Sequence, residues 1–282
     1  MLPNIIYKYF PFSGGLVTLE NASLRYRHPN EFNDPFEFMP GGYSGDSPEE
    51  RKRRVIEALC SSSKYRDIYN LFYQTSFSQC DWNNMINNND PRIQEFISAE
   101  LIDRVFDGLQ RRDWEAYRER TTKDIVFCSF SQKANDILMW SHYAEEHTGI
   151  VIGFDSSCFD RLYKVFYSDK RVRLPLSSTV SGEVMKSFAE KVMTTKSSQW
   201  QYEEEWRRII SSNDVEKNGN LLLKSFPMKS VLSVYFGCRM SDAHKLQLQS
   251  IISRYPNPRV MQAKLHQRDF ALEFVNCQHV GF

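Results

Sequence analysis

The chain has 282 residues, and a quarter of them (25%) are charged. Lys and Arg total 36 against 35 Asp and Glu, so the net charge of +1 gives no overall field that attracts nucleic acid or an anionic membrane. The first twenty residues do not show a signal-peptide pattern, no apolar run approaches a membrane span, and the six cysteines are widely spaced, so we expect a cytoplasmic protein with reduced thiols.

The first segment, residues 4–27, alternates apolar and polar side chains around Gly-Gly and Asn-Ala-Ser, which predicts a strand, a short helix and a second strand. Tyr7, Lys8 and Tyr9 combine two aromatic rings with a basic group on the first strand. Asn33 lies in the turn-rich stretch that follows. This stretch is either a rigid structural loop or the lining of a ligand pocket.

Residues 48–120 change in character. Apolar residues recur there at a spacing of three and four, which is typical of helices, while "QCDWNNMINNND" at 79–90 reads as a polar loop. We therefore expect one α+β domain over residues 1–282, with a helical insertion at about 46–122.

Strands return from residue 124. "DIVFCSFS" predicts a strand with Ser129 and Ser131 on one face, and "IVIGFD" predicts a central, buried strand. The helix between them carries Met139, Trp140, His142 and Tyr143, which form either part of the core or one side of a pocket. His142 and His147 are five residues apart and do not share a face, so we expect no metal site.

The stretch "QYEEEWRRII" at 201–210 has two readings. As a helix it places Glu203 and Glu204 four residues before Arg207 and Arg208, which gives favourable ion pairs on a solvated face. As a strand that begins at about Glu205, after a helix at about 181–199, it places Glu203 and Glu205 on the same side at the mouth of a cleft. Paired carboxylates in that position bind sugar hydroxyls and stabilise positive charge on a ribose. The remaining pattern predicts a strand near 231, a helix at about 241–254 and two strands near 259–276.

Several of these segments resemble a bacterial family, domain of unknown function 2971. The similar pieces are "YKYFP", "LRYRHPNEFNDPFE", "FCSFS", "DILMWSHYAEEHTGIVIGFD", "QYEEEWRRII" and "VYFGCRM". They cover most of the chain outside the helical insertion.

The order of the segments is similar, more distantly, to that of the ADP-ribosyltransferases. That resemblance implies a split mixed or antiparallel sheet and NAD as the substrate, with a protein, nucleic acid, small molecule or water as the acceptor. Lys8 or Tyr9 stands where that fold typically has a first-strand histidine or arginine.

The same resemblance implies roles for individual residues. Glu205 would stabilise the ribosyl cation, Glu203 would position or deprotonate the acceptor, and Tyr143 would stack on nicotinamide. The residues that it places around the cofactor are Tyr7, Lys8, Tyr9, Asn33, Ser129, Ser131, Trp140, His142 and Arg207. Among them, Ser129 or Ser131 would bind the ribose and Lys8 or Arg207 the pyrophosphate. Anti-phage defence or toxin action is the expected setting.

Two other classes of function remain open from the sequence. A nucleic-acid enzyme, such as a nuclease, would use the basic run Arg51–Arg54 with Arg111 and Arg112 as a binding patch, although such a run is commonly a solvated helix face. A binding or sensing module would hold a nucleotide without turnover.

Overall fold

The computed structural model describes residues 2–41, 43–44, 47–88, 90–96, 108, 119, 123–175 and 182–277. The chain divides into two compact units. Unit 1 comprises Met1–Met39, Arg120–Arg171 and Ala189–Phe282, and unit 2 comprises Pro40–Glu119 and Val172–Phe188. The expectation of a single domain over residues 1–282 stays a prediction.

The strands and helices of the described residues have the following bounds. The strands are β1 (Ile5–Phe10), β2 (Ser23–Tyr26), β3 (Tyr43–Ser44), β4 (Ile125–Ser131), β5 (Ile150–Asp155), β6 (Leu162–Lys164), β7 (Phe166–Ser168), β8 (Leu174–Pro175), β9 (Thr195–Ser197), β10 (Glu205–Ser211), β11 (Glu216–Asn218), β12 (Leu221–Ser225), β13 (Val231–Phe236), β14 (Arg259–Leu265) and β15 (Leu272–Asn276). The helices are α1 (Phe12–Asn21), α2 (Pro48–Ser61), α3 (Ser63–Tyr73), α4 (Gln79–Asn87), α5 (Pro91–Phe96), α6 (Ile137–Tyr143), α7 (Gly182–Met193) and α8 (Asp242–Ile252).

Unit 1 is built on an eight-stranded mixed sheet with the order β15-β14-β13-β5-β1-β4-β10-β6. β13 and β14 pair in parallel, and the other neighbours in this sheet pair antiparallel. The predicted α+β class with a mixed sheet is therefore confirmed. β5 lies between β13 and β1, as its nearly continuous apolar sequence predicts, and Ile150, Val151 and Ile152 are fully buried.

One face of the sheet carries the larger apolar core. Alternate residues of the central strands point to this face, and they pack with Leu19 of α1 and with Leu248 and Ile251 of α8. Cys128 lies in this core, on the face away from Ser129 and Ser131, as the alternation along β4 predicts. The two helices shield this face from water.

The opposite face carries a second cluster, in which α6 packs against β1. Tyr9 and Trp140 form its centre, with their rings edge to face at 5.7 Å. Tyr7 and Tyr143 pack at its margin and are partly buried. The candidate site lies on this face.

Unit 2 contains α2–α5 and the short parallel pair β3 and β8. The predicted polar loop at 79–90 is wrong, because α4 occupies Gln79–Asn87. Ser78 caps this helix together with Asp81, and the helix buries Trp82, Met85 and Ile86 on one face. The predicted helix at 91–120 is described only from Pro91 to Phe96, apart from the isolated residues 108 and 119, so Arg111 and Arg112 lie outside the described residues.

The predicted helix at 181–199 ends earlier than expected. α7 stops at Met193, and Thr195–Ser197 forms β9, which pairs in parallel with β7. A 3-10 helix follows from Ser198 to Glu203. As predicted, the next strand, β10, begins at Glu205. None of the helices that the structure describes is both long enough and apolar enough to cross a membrane.

Candidate functional site

The register of the sheet aligns three polar side chains from separate parts of the sequence. Glu205 of β10 lies opposite Ser131 of β4, and Ser131 lies opposite Tyr7 of β1. Arg207 lies opposite Ser129 in the adjacent row. Residues directly opposite one another in neighbouring strands point to the same face, so these side chains all lie on the α6 side of the sheet.

The backbone at Glu204 determines where the three consecutive glutamates point. Glu204 adopts a left-handed conformation with φ 42° between the 3-10 helix and β10. Its side chain lies near the surface and pairs with Lys133 at 2.5 Å. Glu203 and Glu205, by contrast, are only 4% and 3% exposed. The predicted position of these two residues at the mouth of a cleft is therefore corrected to a buried one.

Glu203 and Glu205 belong to a buried cluster of five charged residues, which we call the charge cluster: Glu37, Lys196, Glu203, Glu205 and Arg207. Lys196 Nζ contacts a carboxylate oxygen of Glu203 at 2.6 Å, of Glu205 at 3.1 Å and of Glu37 at 3.1 Å. The three protons of its ammonium group match these three acceptors.

Arg207 forms the second cationic centre of the charge cluster. Its Nε and Nη2 donate to Glu205 at 2.8 and 3.0 Å, and Nη2 also donates to Glu37 at 2.8 Å. Nη1 donates to the carbonyl of Met193, and the rings of Phe32 and Phe38 lie 5.6 and 5.3 Å from the guanidinium carbon. Arg207 is fully buried, so it anchors the two carboxylates and does not present a free guanidinium to a pyrophosphate.

The three carboxylates differ in their electrostatic surroundings. Burial opposes the ionisation of Glu205, but Arg207 and Lys196 outweigh it and hold the pKa of Glu205 well below its ordinary value. Burial raises the pKa of Glu203, and the negative charge of Glu205 raises it further, against the influence of Lys196. The pKa of Glu37 is also raised, mainly by burial.

Glu203 contacts a phenol as well as a cation. Its Oε2 accepts from Lys196, and its Oε1 accepts a hydrogen bond of 2.7 Å from the hydroxyl of Tyr143. Tyr143 is the last residue of α6, which Asp136 caps through the amides of Leu138 and Met139. Burial, followed by the charge of Glu203, raises the pKa of the Tyr143 phenol, which therefore stays protonated.

A row of partly exposed aromatic rings, which we call the aromatic strip, lies beside this hydrogen bond. It consists of Tyr143, His142, Tyr202 and Trp200, whose successive ring centroids lie 6.4, 6.5 and 6.2 Å apart. Lys196 Nζ lies 5.0 Å from the centroid of the Trp200 ring. The strip offers flat surfaces next to the charge cluster.

The DUF2971 model matches residues 139–208, and its description is "Protein of unknown function". The match runs from within α6 to within β10 and contains Tyr143, Lys196, Glu203, Glu205 and Arg207. The resemblance to this family is thus confirmed over that segment. Glu37 lies outside it. No curated protein and no solved structure matches the chain.

Two serines and one tyrosine among the other predicted site residues lie on the same face of the sheet as Glu205. The side chain of Ser129 helps to lower the pKa of Glu205, and Ser131 Oγ accepts from the amide of Lys133 at 3.0 Å. Both serines lie beside β10, with Ser131 opposite Glu205 and Ser129 opposite Arg207. Tyr7 lies against Tyr235, and burial together with this neighbour raises the pKa of Tyr7 to about 12.

The remaining predicted residues are farther from the carboxylates or point elsewhere. Lys8 Nζ donates to the carbonyl of Ser129 and lies near the rings of Phe10 and Phe130, on the opposite face of the sheet. Tyr9 donates to the carbonyl of Lys133, Trp140 is fully buried in the core, and Asn33 is exposed. The structure does not gather these residues with Glu203.

Sequence reasoning missed Glu37 and Lys196. Glu37 ends the segment "LRYRHPNEFNDPFE", in which the sequence predicts a turn. Its position between Phe36 and Phe38 is the signal for burial, and a buried glutamate requires a partner. Lys196 lies in "TTKSSQ", where no hydrophobic periodicity indicates that its side chain is buried.

The basic run of unit 2 is partly described. Arg53 pairs with Glu57 at 3.0 Å on α2, and both side chains are more than half exposed, which favours the interpretation of this run as a solvated helix face.

Proposed function

We propose that this protein cleaves the bond between nicotinamide and ribose in NAD and transfers ADP-ribose to an acceptor, on a fold of the ADP-ribosyltransferase type. One observation carries the proposal: the carboxylate of Glu203 lies between Lys196 at 2.6 Å and the Tyr143 hydroxyl at 2.7 Å, within a buried cluster that has more carboxylates than cations.

The chemistry of this reaction requires negative charge beside the ribose. The carbon–nitrogen bond breaks with its electron pair leaving on nicotinamide, which leaves positive charge on the ribosyl carbon. A lone pair of the acceptor then forms the new bond, and the acceptor loses a proton. A buried carboxylate stabilises the cationic transition state more strongly than it does in water, because it is already oriented and water is excluded.

The contacts suggest a division of roles between the two glutamates. Both oxygens of Glu205 are held by cations, so we assign it to holding Arg207 and Lys196 in place. Glu203 faces Tyr143, and we assign to it the charge-stabilising role that the ADP-ribosyltransferase resemblance gives to Glu205. The aromatic strip would stack on the nicotinamide ring.

The alignment of Tyr7, Ser131 and Glu205 across β1, β4 and β10 supports the ADP-ribosyltransferase comparison, because the resemblance places a first-strand residue, a middle serine and a late glutamate together. A role in anti-phage defence or as a toxin would suit an activity that consumes NAD.

The test is nicotinamide release from NAD by the purified protein, alone and with candidate protein and nucleic-acid acceptors. Glu203→Gln is expected to lower the rate by about 10²–10³ with little change in NAD binding. Glu204→Gln is the matched control, because Glu204 is the adjacent glutamate and pairs at the surface with Lys133. Equal rates in wild type and Glu203→Gln contradict the assignment, and binding of NAD with no turnover under any of these conditions favours the sensing module.

A further inference from the structure

The charge cluster contains more carboxylates than cations. Its three carboxylates face two cations, so the fully ionised cluster has one net negative charge, and all five residues are at most 8% exposed. An uncompensated charge in such a place is costly, and a protein commonly removes the cost by binding a proton or a cation.

The geometry distinguishes the three sites at which a proton can reside. Glu205 contacts Arg207 through both oxygens and Lys196 through one. Glu37 contacts Lys196 through Oε1 and Arg207 through Oε2. Glu203 contacts Lys196 through Oε2 only, and its Oε1 faces the neutral Tyr143 hydroxyl. Protonation of Glu203 at Oε1 therefore converts only the Lys196–Glu203 ion pair, which becomes a hydrogen bond to a neutral acid, and leaves both cations paired with Glu205 and Glu37. The phenol oxygen of Tyr143 is able to accept where its hydroxyl had donated.

We infer that the charge cluster retains one proton at neutral pH on Glu203, and that Glu37 is the positioning residue that keeps it there. Glu37 supplies the third carboxylate, and it shares Lys196 with Glu203 and Glu205, and Arg207 with Glu205. Without its negative charge, the cluster has two carboxylates and two cations, and Glu203 ionises at a lower pH.

The groups that face Glu203 come from several elements and are consistent with this arrangement. They are Tyr143 on α6, Tyr167 on β7, Lys196 on β9, Tyr202 in the 3-10 helix, and Glu205 and Arg207 on β10. Glu37 acts on Glu203 through Lys196, which both carboxylates contact. The three phenols are neutral, because burial raises the pKa of each above its ordinary value. They do not alter the charge imbalance.

The inference deepens the proposed function and, for its kinetic part, rests on it. A protonated Glu203 does not stabilise a ribosyl cation, so the proton has to leave before the reaction. A positively charged nicotinamide ring at the aromatic strip compensates the cluster and favours that loss. Activity is then expected to rise with pH as Glu203 ionises.

The first test concerns folding alone and uses no NAD. A native Glu203 with a raised pKa holds a proton that the unfolded chain has lost above its ordinary pKa of 4.5, so unfolding releases it and wild-type stability falls as pH rises through the native pKa. Urea unfolding of wild type, Glu203→Gln and Glu37→Gln between about pH 5.5 and about pH 8.5 measures this release. Wild type is expected to release about one proton more than either variant, and Glu204→Gln is expected to behave as wild type.

A second measurement does not require Glu37→Gln to fold. Glutamine is the isostere of a protonated glutamate, so Glu203→Gln preserves the inferred native hydrogen bonds. The infrared spectrum of wild type at neutral pH is expected to show the carbonyl stretch of a protonated carboxylic acid, and Glu203→Gln is expected to lack it. A spectrum without this band, or equal proton release in wild type and Glu203→Gln, overturns the inference.

The kinetic readout separates the positioning role from a structural one. If NAD is cleaved, Glu37→Gln is expected to shift the acidic limb of the pH profile of nicotinamide release to lower pH, because Lys196 then has one carboxylate fewer to compensate and favours the ionised form of Glu203 more strongly. An unchanged limb contradicts the role of Glu37. If NAD is not cleaved, the proposed function fails, while the unfolding and infrared results still decide whether the proton is there.

Discussion

The hydroxyl of Tyr143 donates a hydrogen bond of 2.7 Å to Oε1 of Glu203, although 60 positions separate the two residues in the sequence. This contact joins the end of α6 to the segment that precedes β10. It also connects the aromatic strip to the charge cluster, which gives the candidate site both a flat surface and a negative charge.

Tyr143→Phe removes this hydrogen bond and keeps the ring. We expect the free energy of unfolding to fall by about 1 kcal/mol, since one buried hydrogen bond is lost. Under the proposed function, kcat for nicotinamide release falls while KM changes little. Tyr143→Leu, which also removes the ring, is expected to raise KM. Equal KM values for the two variants would show that the ring does not contact the substrate.

Glu205→Gln removes the carboxylate that contacts both cations of the charge cluster. We expect a loss of about 3–5 kcal/mol in the free energy of unfolding, because the fully buried Arg207 loses the carboxylate that binds it at two nitrogens and keeps only Glu37 as a charged partner. Urea unfolding at neutral pH measures the loss. Glu204→Gln, at the surface, is expected to change stability by less than about 0.5 kcal/mol.

The effect of Glu205→Gln is expected to depend on pH. The pKa of Glu205 lies below its ordinary value of 4.5 in the folded protein, so its stabilising contribution is present above 4.5 and is lost as pH falls through the folded value. The stability difference between wild type and Glu205→Gln should therefore shrink when unfolding is measured at progressively lower pH below 4.5. A difference that stays constant would mean that Glu205 is not ionised in the cluster.

Gly14 and Gly15 of α1 offer a matched pair. A methyl group on Gly15 would lie 2.4 Å from the side chain of the fully buried Ile150, whereas on Gly14 its nearest neighbour lies at an ordinary 3.7 Å. We expect Gly14→Ala to stabilise the protein by about 0.5–1 kcal/mol, because alanine has the higher helix propensity. Gly15→Ala is expected to destabilise it by about 1–3 kcal/mol through overpacking. Thermal unfolding of both variants checks the opposite signs.

Ser78→Ala tests α4, which forms where the sequence predicts a polar loop. Ser78 accepts from the amide of Asp81, and Asp81 in turn accepts from the amide of Ser78. Loss of this cap is expected to cost about 1 kcal/mol. Ser76→Ala, at an exposed position just before the cap, is the control and should have little effect. Hydrogen exchange of the amides of α4 would locate the change.

Local pattern accounts for much of unit 1. The alternation of side chains predicts β1, β4 and β5, and the change to a three-and-four spacing predicts α6. The start of β10 at Glu205 agrees with the strand interpretation of "QYEEEWRRII", in which Trp206, Arg208 and Ile210 share one face. The sequence does not predict α4, because its asparagines have low helix propensity. The helix forms nevertheless, because it buries Trp82, Met85 and Ile86 on one face.

The sequence by itself determined that carboxylates, serines and aromatic residues occur at the ends of particular strands and helices, and that Ser129 and Ser131 share a face. Only the tertiary structure decided that Glu205 and Arg207 are buried, that Glu37 and Lys196 join them, and that Glu203 contacts Tyr143. The physical reason is that a side chain's facing direction follows from local periodicity, whereas its charge state and exposure depend on neighbours in space that are far away along the chain.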